Sequence, residues 1–206
     1  MGSEMCIRDR NIDYDKACSM IKTYFGLKIH KESLMKLLPY CKKIEFQKSE
    51  IILEIGEEMK NVYFILSGLT RSYYLDLEGR DITKSFIGEY NFCIAESFFT
   101  KEKSIQCFEA LEYTTALEFN ADELKQLLLA DDDLRNFYIK LLEATILYKM
   151  NRESGFQIKS ATERYIDFKK EFPNLEKRVN QSYISSYLGI TAVSLSRIRR
   201  TIREEN

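Results

Sequence analysis

The side chains best suited to binding chemistry crowd the carboxyl-terminal end of this sequence: Thr191, Ser194, Arg197, Arg199, Arg200 and Arg203, with Ala192 and Val193 among them. A guanidinium is planar, permanently charged and able to bond bidentately to a phosphate or to the edge of a guanine. Hydroxyls reach phosphates, and small apolar groups touch thymine methyls. Such a set works only if one element presents it on one face. The run Gln181-Ser-Tyr-Ile-Ser-Ser-Tyr-Leu-Gly-Ile-Thr-Ala-Val-Ser-Leu-Ser-Arg-Ile-Arg-Arg-Thr-Ile-Arg supplies that element. Apolar or small residues at Ile184, Ser185, Leu188, Ile190, Leu195 and Ile198 flank Gly189, which separates two short helical patterns. This is helix-turn-helix spacing: Ser185 allows close approach, and Gly189 accepts the left-handed turn. Thr191 is placed to cap the second helix and to touch a phosphate. The DNA-contact candidates are Thr191, Ala192, Val193, Ser194, Arg197, Arg199 and Arg200, with Gln181 at the start of the first helix. The plainer alternative is an amphipathic hairpin whose arginines are merely solvated.

Charge favours the DNA reading. From Lys159 to Asn206 there are ten basic residues against six acidic ones, whereas the whole chain carries a net charge of −1. A basic end on an acidic body is the footprint of one module binding phosphate backbone.

The 206 residues can hold one medium domain or two small ones, and 45% hydrophobic residues are enough for a real core. No apolar run approaches the roughly 20 residues needed to span a bilayer, and no secretory core is visible, so a cytoplasmic protein is expected, with no membrane partner. Five cysteines (Cys6, Cys18, Cys41, Cys93, Cys107) lack C-x-x-C spacing and are odd in number, which argues against a disulfide framework or a cysteine metal site. The single histidine, His30, reads as a surface or helix-end residue; no metal ligand set is expected. Residues 1–10 read as a tail, or as a cloning or sequence-assembly remnant.

From about Tyr14 to Leu38 the pattern is helical, stopped by Pro39. Short β-branched and aromatic runs follow from Cys41 to Phe119, broken by turn signals at Gly56, Ser67-Gly68 and Glu78-Gly79-Arg80. They predict an antiparallel sandwich or jelly roll, with a helical turn near Ala95–Phe99. Asn120 caps one predicted helix, and Asp131-Asp-Asp opens a long one that Gly155 should end. Its stripe Leu134, Tyr138, Leu141, Thr145 and Tyr148 is the expected seam of a two-stranded dimer. A further helix runs from about Ser160 to Phe172, ended by Pro173. The expected class is α+β: a jelly roll, a long dimerisation helix and a winged-helix-like helix-turn-helix head. The boundaries are 11–130 for the sensory domain, 131–157 for the dimer helix and 158–206 for the head.

That order, with Tyr63-Phe-Ile-Leu-Ser-Gly-Leu-Thr-Arg, Glu96-Ser-Phe-Phe-Thr, Phe108-Glu-Ala-Leu-Glu, Tyr183-Ile-Ser-Ser-Tyr-Leu-Gly-Ile-Thr and Ser194-Leu-Ser-Arg-Ile-Arg, resembles the Crp/Fnr family of transcription regulators. The resemblance implies a cyclic-nucleotide-binding-like sensor and a homodimer on near-palindromic double-stranded DNA, with half-sites roughly 34 Å apart, and RNA polymerase as a further partner. Relatives that bind cyclic AMP use a Gly-Glu pair for the ribose and an Arg-Ser pair for the phosphate. Here Cys93-Ile94 and Ser104-Ile105 fall at those places, and isoleucine cannot compensate a phosphate. The pocket candidates are Glu89, Cys93, Ile94, Glu96, Ser97, Ser104 and Ile105. Cyclic AMP is not the expected effector, and no cofactor is assigned. In the recognition helix Ala192 and Val193 stand where the family's best-known member has a base-reading arginine and glutamate, so no operator sequence carries over.

Two other classes compete. A non-DNA signalling module, with a nucleotide-binding-like domain and a protein-interaction helix pair, would not bind duplex DNA in a salt-dependent way. A cupin-type metalloenzyme needs several histidines, and no nucleophile–base pair or phosphate loop supports another enzyme. An iron–sulfur or haem sensor lacks its ligands; a thiol-redox role rests on isolated cysteines alone.

Overall fold

The computed structural model describes residues 26–204, together with Ser19, Lys22 and Thr23. The tail at 1–10 and the helical positions Cys18, Ile21, Tyr24 and Phe25 lie outside the described residues. A short helix, α1 (Lys31–Met35), and a 3₁₀ turn at Leu38–Tyr40 that contains Pro39 lead into the barrel. His30 reaches over to the long helix, its backbone N–H donating to Asp133 Oδ2 at 2.8 Å.

The alternating apolar runs form two four-stranded antiparallel sheets. One has the order β1 (Cys41–Phe46), β8 (Thr114–Asn120), β3 (Asn61–Ser67), β6 (Phe92–Cys93). The other has the order β2 (Ile51–Leu53), β7 (Cys107–Ala110), β4 (Thr70–Leu75), β5 (Asp81–Ile87). Their facing side chains make one core, with Val62, Ile65, Phe98, Phe108 and Ala116 almost wholly buried. β6 had no separate sequence signal: two residues are too few to show alternation. The expected helical turn is α2 (Ser97–Thr100). Gly68, at φ +104°, passes so close to β8 that a Cβ there would lie 2.7 Å from the Thr114 backbone.

Asn120 caps α3 (Ala121–Ala130), accepting from the backbone N–H groups of Asp122 and Glu123. Asp131 caps α4 (Asp132–Ile158), accepting from Leu134 N–H at 3.1 Å. The 27 residues of α4 span about 40 Å at 1.5 Å per residue. Gly155 does not end α4, contrary to the sequence expectation. It is buried inside the helix, and the break comes at Lys159, whose backbone is extended. Ser160 and Glu163 then form a capping box that starts α5 (Ala161–Glu171). Ser160 Oγ accepts from the Glu163 N–H, and the Glu163 carboxylate accepts from the Ser160 N–H.

The head continues through a 3₁₀ turn at Leu175–Lys177, α6 (Gln181–Leu188) and α7 (Ala192–Glu204). Among the described residues no strand follows β8. The head does not stand apart from the barrel. Its core of Tyr165, Phe168, Leu175, Ile184, Tyr187, Leu188 and Leu195 is continuous with Leu69, Phe86 and Leu111 of the barrel. The Phe86 ring, on β5, lies 5.5 Å from Tyr187 and 6.3 Å from Phe168.

Candidate nucleic-acid interface and sensory cavity

The turn between α6 and α7 follows from its sequence. Gly189 sits at φ +65°, its N–H donates to Ser186 O at 3.0 Å, and Ile190 N–H donates to Ser185 O at 3.0 Å. This paired closure is the Schellman arrangement, and it consumes carbonyls that the end of α6 would otherwise leave unpaired. Two residues later the Thr191 hydroxyl accepts from Ser194 N–H at 3.1 Å and caps α7.

Leu195, Ile198 and Ile202 turn α7 inward. Thr191, Ala192, Val193, Arg197 and Arg200 are exposed along its outer face, and Ser194 is half-buried. Gln181 is exposed at the start of α6. Arg197 has no acidic partner among the described residues, and Arg200 only a 3.9 Å approach to Glu204 on the surface. Arg199 departs from the expected set. It lies on the inner side, 20% exposed, and pairs with Glu176 at 3.2 Å. Glu176 also accepts from the Tyr165 hydroxyl at 2.7 Å. On a helix positions 197 and 200 fall on one side, whereas position 199 falls beside Ile198 and Ile202.

The head is clamped to the barrel along β5, an edge strand. The Ser186 hydroxyl of α6 accepts from Thr83 N–H at 2.8 Å and donates to Asp81 O at 3.3 Å, satisfying backbone groups that no neighbouring strand pairs. Arg71 of β4, 3% exposed, donates to Glu109 at 3.1 Å and to Asp81, while its guanidinium stacks 3.6 Å from the Tyr183 ring of α6. Arg178 bridges to Glu89 and Glu112 of the barrel. Arg152 of α4 donates to Tyr187 O at 3.0 Å and covers the Tyr187 ring at 3.8 Å.

Of the seven pocket candidates, Glu96, Ser104 and the Ile105 backbone are brought together and the others are not. Glu89 leaves the set: its carboxylate accepts from Gly68 N–H and from Arg178, in the clamp. Cys93 is fully buried in the barrel, its Sγ 3.3 Å from the Thr70 hydroxyl. Burial pushes that thiol up to about 12, which leaves it without thiolate character near neutral pH. Ser97 is buried too, and its Oγ accepts from Met59 N–H. The Ile105 side chain is 63% exposed and points away. Ile94 and Glu96 do line a cavity of about 580 Å³ between the β4–β5–β7 sheet and α4. At its edge the Glu96 carboxylate accepts from Ser104 Oγ at 3.1 Å, from Ile105 N–H at 2.6 Å and from the Gln106 amide. Burial opposes that charge, but the bonds from Gln106, Ile105 and Ser104 outweigh it and hold the carboxyl below its usual range.

Sequence reasoning missed Lys84, Gln106, Lys149 and Arg152, which line the same cavity. Only the cationic side of α4, Lys149 with Arg152, carried a sequence signal for them. The stripe read as a dimer seam faces inward instead. Leu134 and Tyr138 are buried in the chain's own core, and Leu141, Thr145 and Tyr148 line the cavity. The outward apolar stripe of α4 is Ile139, Ile146, Leu147 and Met150, each 45–60% exposed. Among the described residues no group of three or more His, Cys, Asp or Glu could hold a metal, and no helix is long and apolar enough to cross a membrane.

Comparison with known proteins places this geometry. Residues 43–131 match the family model of the cyclic nucleotide-binding domain. FixK2 from Bradyrhizobium japonicum superposes with a TM-score of 0.70 at 19% identity, over 80% of this chain and 85% of that one. The c-di-GMP-responsive global regulator CLP of Xanthomonas campestris gives 0.68 at 13%, over 85% and 93%. A variant of CooA from Carboxydothermus hydrogenoformans gives 0.67 at 18%, over 82% and 79%. A comparison with curated protein sequences finds no match. Over residues 43–131 the barrel is similar to the cyclic nucleotide-binding domain. From the barrel through the long helix to the helix-turn-helix head, the described residues share the fold of these solved structures.

Proposed function

We propose that this protein is a sequence-specific, dimeric DNA-binding transcription regulator of the Crp/Fnr type. The observation that carries the reading is the outer face of α7, where Thr191, Ala192, Val193, Arg197 and Arg200 are exposed together behind a tightly closed turn. An exposed apolar and hydroxyl edge followed by exposed guanidinium groups matches major-groove base edges and the flanking phosphates. The second half of the reading is the stripe Ile139, Ile146, Leu147 and Met150, four large apolar side chains on one long helix. Spacings of three, four and seven suit a pairing with the same helix of a second copy. Two heads then meet successive major grooves of a near-palindromic duplex.

The sensory half is not built for cyclic AMP. No arginine stands in the nucleotide cassette, the segment from Cys93 to Phe108 where relatives that bind cyclic AMP carry their two pairs, and a protein carboxylate, Glu96, holds the donors there. An effector acts on the head only through a difference in affinity between two arrangements of the clamp.

The test is recovery of duplex fragments from sheared genomic DNA by the purified chain, followed by gel shifts at rising salt. The reading requires enrichment of a two-half-site sequence whose affinity falls as salt rises. Retention of no duplex above background defeats it.

A further inference from the structure

We propose that the cavity under α4 takes an organic carboxylate with an apolar body, its charge met by Lys84, Lys149 and Arg152 rather than by the nucleotide cassette. The inference rests on the regulator reading, since it names the effector class of that regulator.

Lys84 is the extra residue of a β-bulge. The β4–β5 register runs from Ser72–Ser85 to Tyr73–Thr83 and skips it. A bulge of this kind re-aims a side chain, and here Lys84 joins the cavity lining. Among the described residues no carboxylate lies within ion-pair distance of its ammonium; the only aromatic contact is the Tyr74 ring at 5.6 Å. Burial, with repulsion from Lys149, lowers this amine to about 8. A half-buried cation with no carboxylate in contact is costly, and an incoming anion relieves that cost. Two acids, Glu96 and Glu153, also line the cavity, and Glu96 attracts the Lys84 amine from beyond contact; the Glu96 oxygens are already taken by Ser104, Ile105 and Gln106. A phosphate brought to those donors meets a like charge instead.

The remaining walls fix the body of the ligand. Phe92, Phe99 and Phe108 supply apolar surface, and about 580 Å³ accommodates a small organic molecule. Gln106 Oε1 is buried with no hydrogen-bond partner. A hydroxyl or N–H on the ligand would satisfy it, so the preferred acid carries a donor away from its carboxylate. Arg152 connects the cavity to the head, because the same guanidinium holds Tyr187 O. An anion that draws on Arg152 competes with the clamp.

Isothermal titration calorimetry on the full chain decides the matter, with 6-hydroxy-2-naphthoate, 2-naphthoate and neutral 2-naphthamide as probes and cyclic AMP as the comparator. The expected result is saturable binding of the acids, at least tenfold weaker binding of the amide, and at least tenfold loss of acid binding in Lys84→Met. The hydroxylated acid should bind more tightly than its parent. Equal binding of acid and amide, no saturable binding of either acid at millimolar concentration, or preference for cyclic AMP overturns the inference. The acid–amide comparison uses the unaltered chain and so survives a variant that fails to fold. Operator binding by the ligand-free chain is scored separately: retained operator binding without anion binding removes this inference alone.

Discussion

Arg178 of the head donates to Glu89 of the barrel at 2.9 Å, and the same guanidinium donates to Glu112 at 2.5 Å. Burial works against the Glu89 charge, but Arg178 overcomes it and holds the carboxyl below its usual range. Because the folded value is depressed, the contribution is present above the ordinary carboxyl range and disappears as pH falls through the folded value. The groups are about a third exposed, so solvent screens the pair. A double-mutant cycle of Arg178→Ala and Glu89→Ala should return a coupling of about 1 kcal/mol or less near neutral pH. Hydrogen exchange of α6 should speed up in Arg178→Ala. Unchanged exchange there means the apolar contacts of Phe86 hold the head unaided.

The start of α4 is fixed by Asp131, which accepts from Leu134 N–H at 3.1 Å, Lys36 Nζ at 2.6 Å and Ser33 Oγ at 3.2 Å. The Lys36 ammonium foremost, then the helix N–H, lower its carboxyl to about 2. Asp131→Ala is expected to cost about 1 kcal/mol, as loss of an N-cap does. With the folded value below the unfolded 3.8, that increment should be full above about pH 4 and vanish as pH falls towards 2. Urea titrations of both proteins at pH 7 and pH 2.5 check it; an equal gap at the two values contradicts the assignment.

What the sequence disclosed and what it hid divide along a physical line. Asn120, Thr191 and Gly189 act through their own few neighbours, so their caps and turn were readable from local spacing. The two sheets were readable because alternation is also local. Which face of α4 packs on the barrel was not, because both faces are apolar and periodicity cannot say which one the barrel takes. Lys84 was invisible for a related reason: the bulge shifts a strand's facing by one residue, and only the β4 partner reveals it. Glu89 sits next to the cassette in sequence but answers to Arg178, 89 positions away.

The pairing proposed through the outward stripe of α4 makes a sharp contrast. Ile146 is 56% exposed, whereas Tyr138 is 8% exposed in the chain's own core. Ile146→Glu should convert a dimer to a monomer in sedimentation velocity with little change in the barrel's thermal unfolding. Tyr138→Ala should lower the unfolding midpoint through a core cavity costing about 3 kcal/mol or more. If Ile146→Glu sediments as the parent does, the pairing runs elsewhere.

Gly189 meets two constraints at once. Its φ of +65° strains any side chain, and a Cβ would lie 2.8 Å from Cε1 of Phe156. Gly189→Ala should therefore destabilise the head by about 1–2 kcal/mol. Since the clash is with the rim of a ring, adding Phe156→Leu should recover the steric part and leave the conformational part. Full recovery would mean the backbone strain is negligible.

Arg197 and Arg199 lie two positions apart on α7 and should separate binding from folding. Arg197 is exposed and without an acidic partner among the described residues, while Arg199 is 20% exposed and bonded to Glu176, which also holds Tyr165. A guanidinium aimed at a base edge or phosphate contributes on the order of 1–3 kcal/mol to affinity and nothing to the free head. One engaged in a partly buried network contributes to the head's stability and touches DNA only through its position. Arg197→Ala is thus expected to weaken operator binding by 1–3 kcal/mol with an unchanged melting midpoint. Arg199→Ala should lower that midpoint, and at a temperature where the head stays folded should leave affinity within a few-fold. Gel shifts and thermal unfolding of the two variants side by side read both axes. If Arg199→Ala loses affinity while keeping its midpoint, the inner side of α7 reaches the duplex and the proposed docking face is wrong.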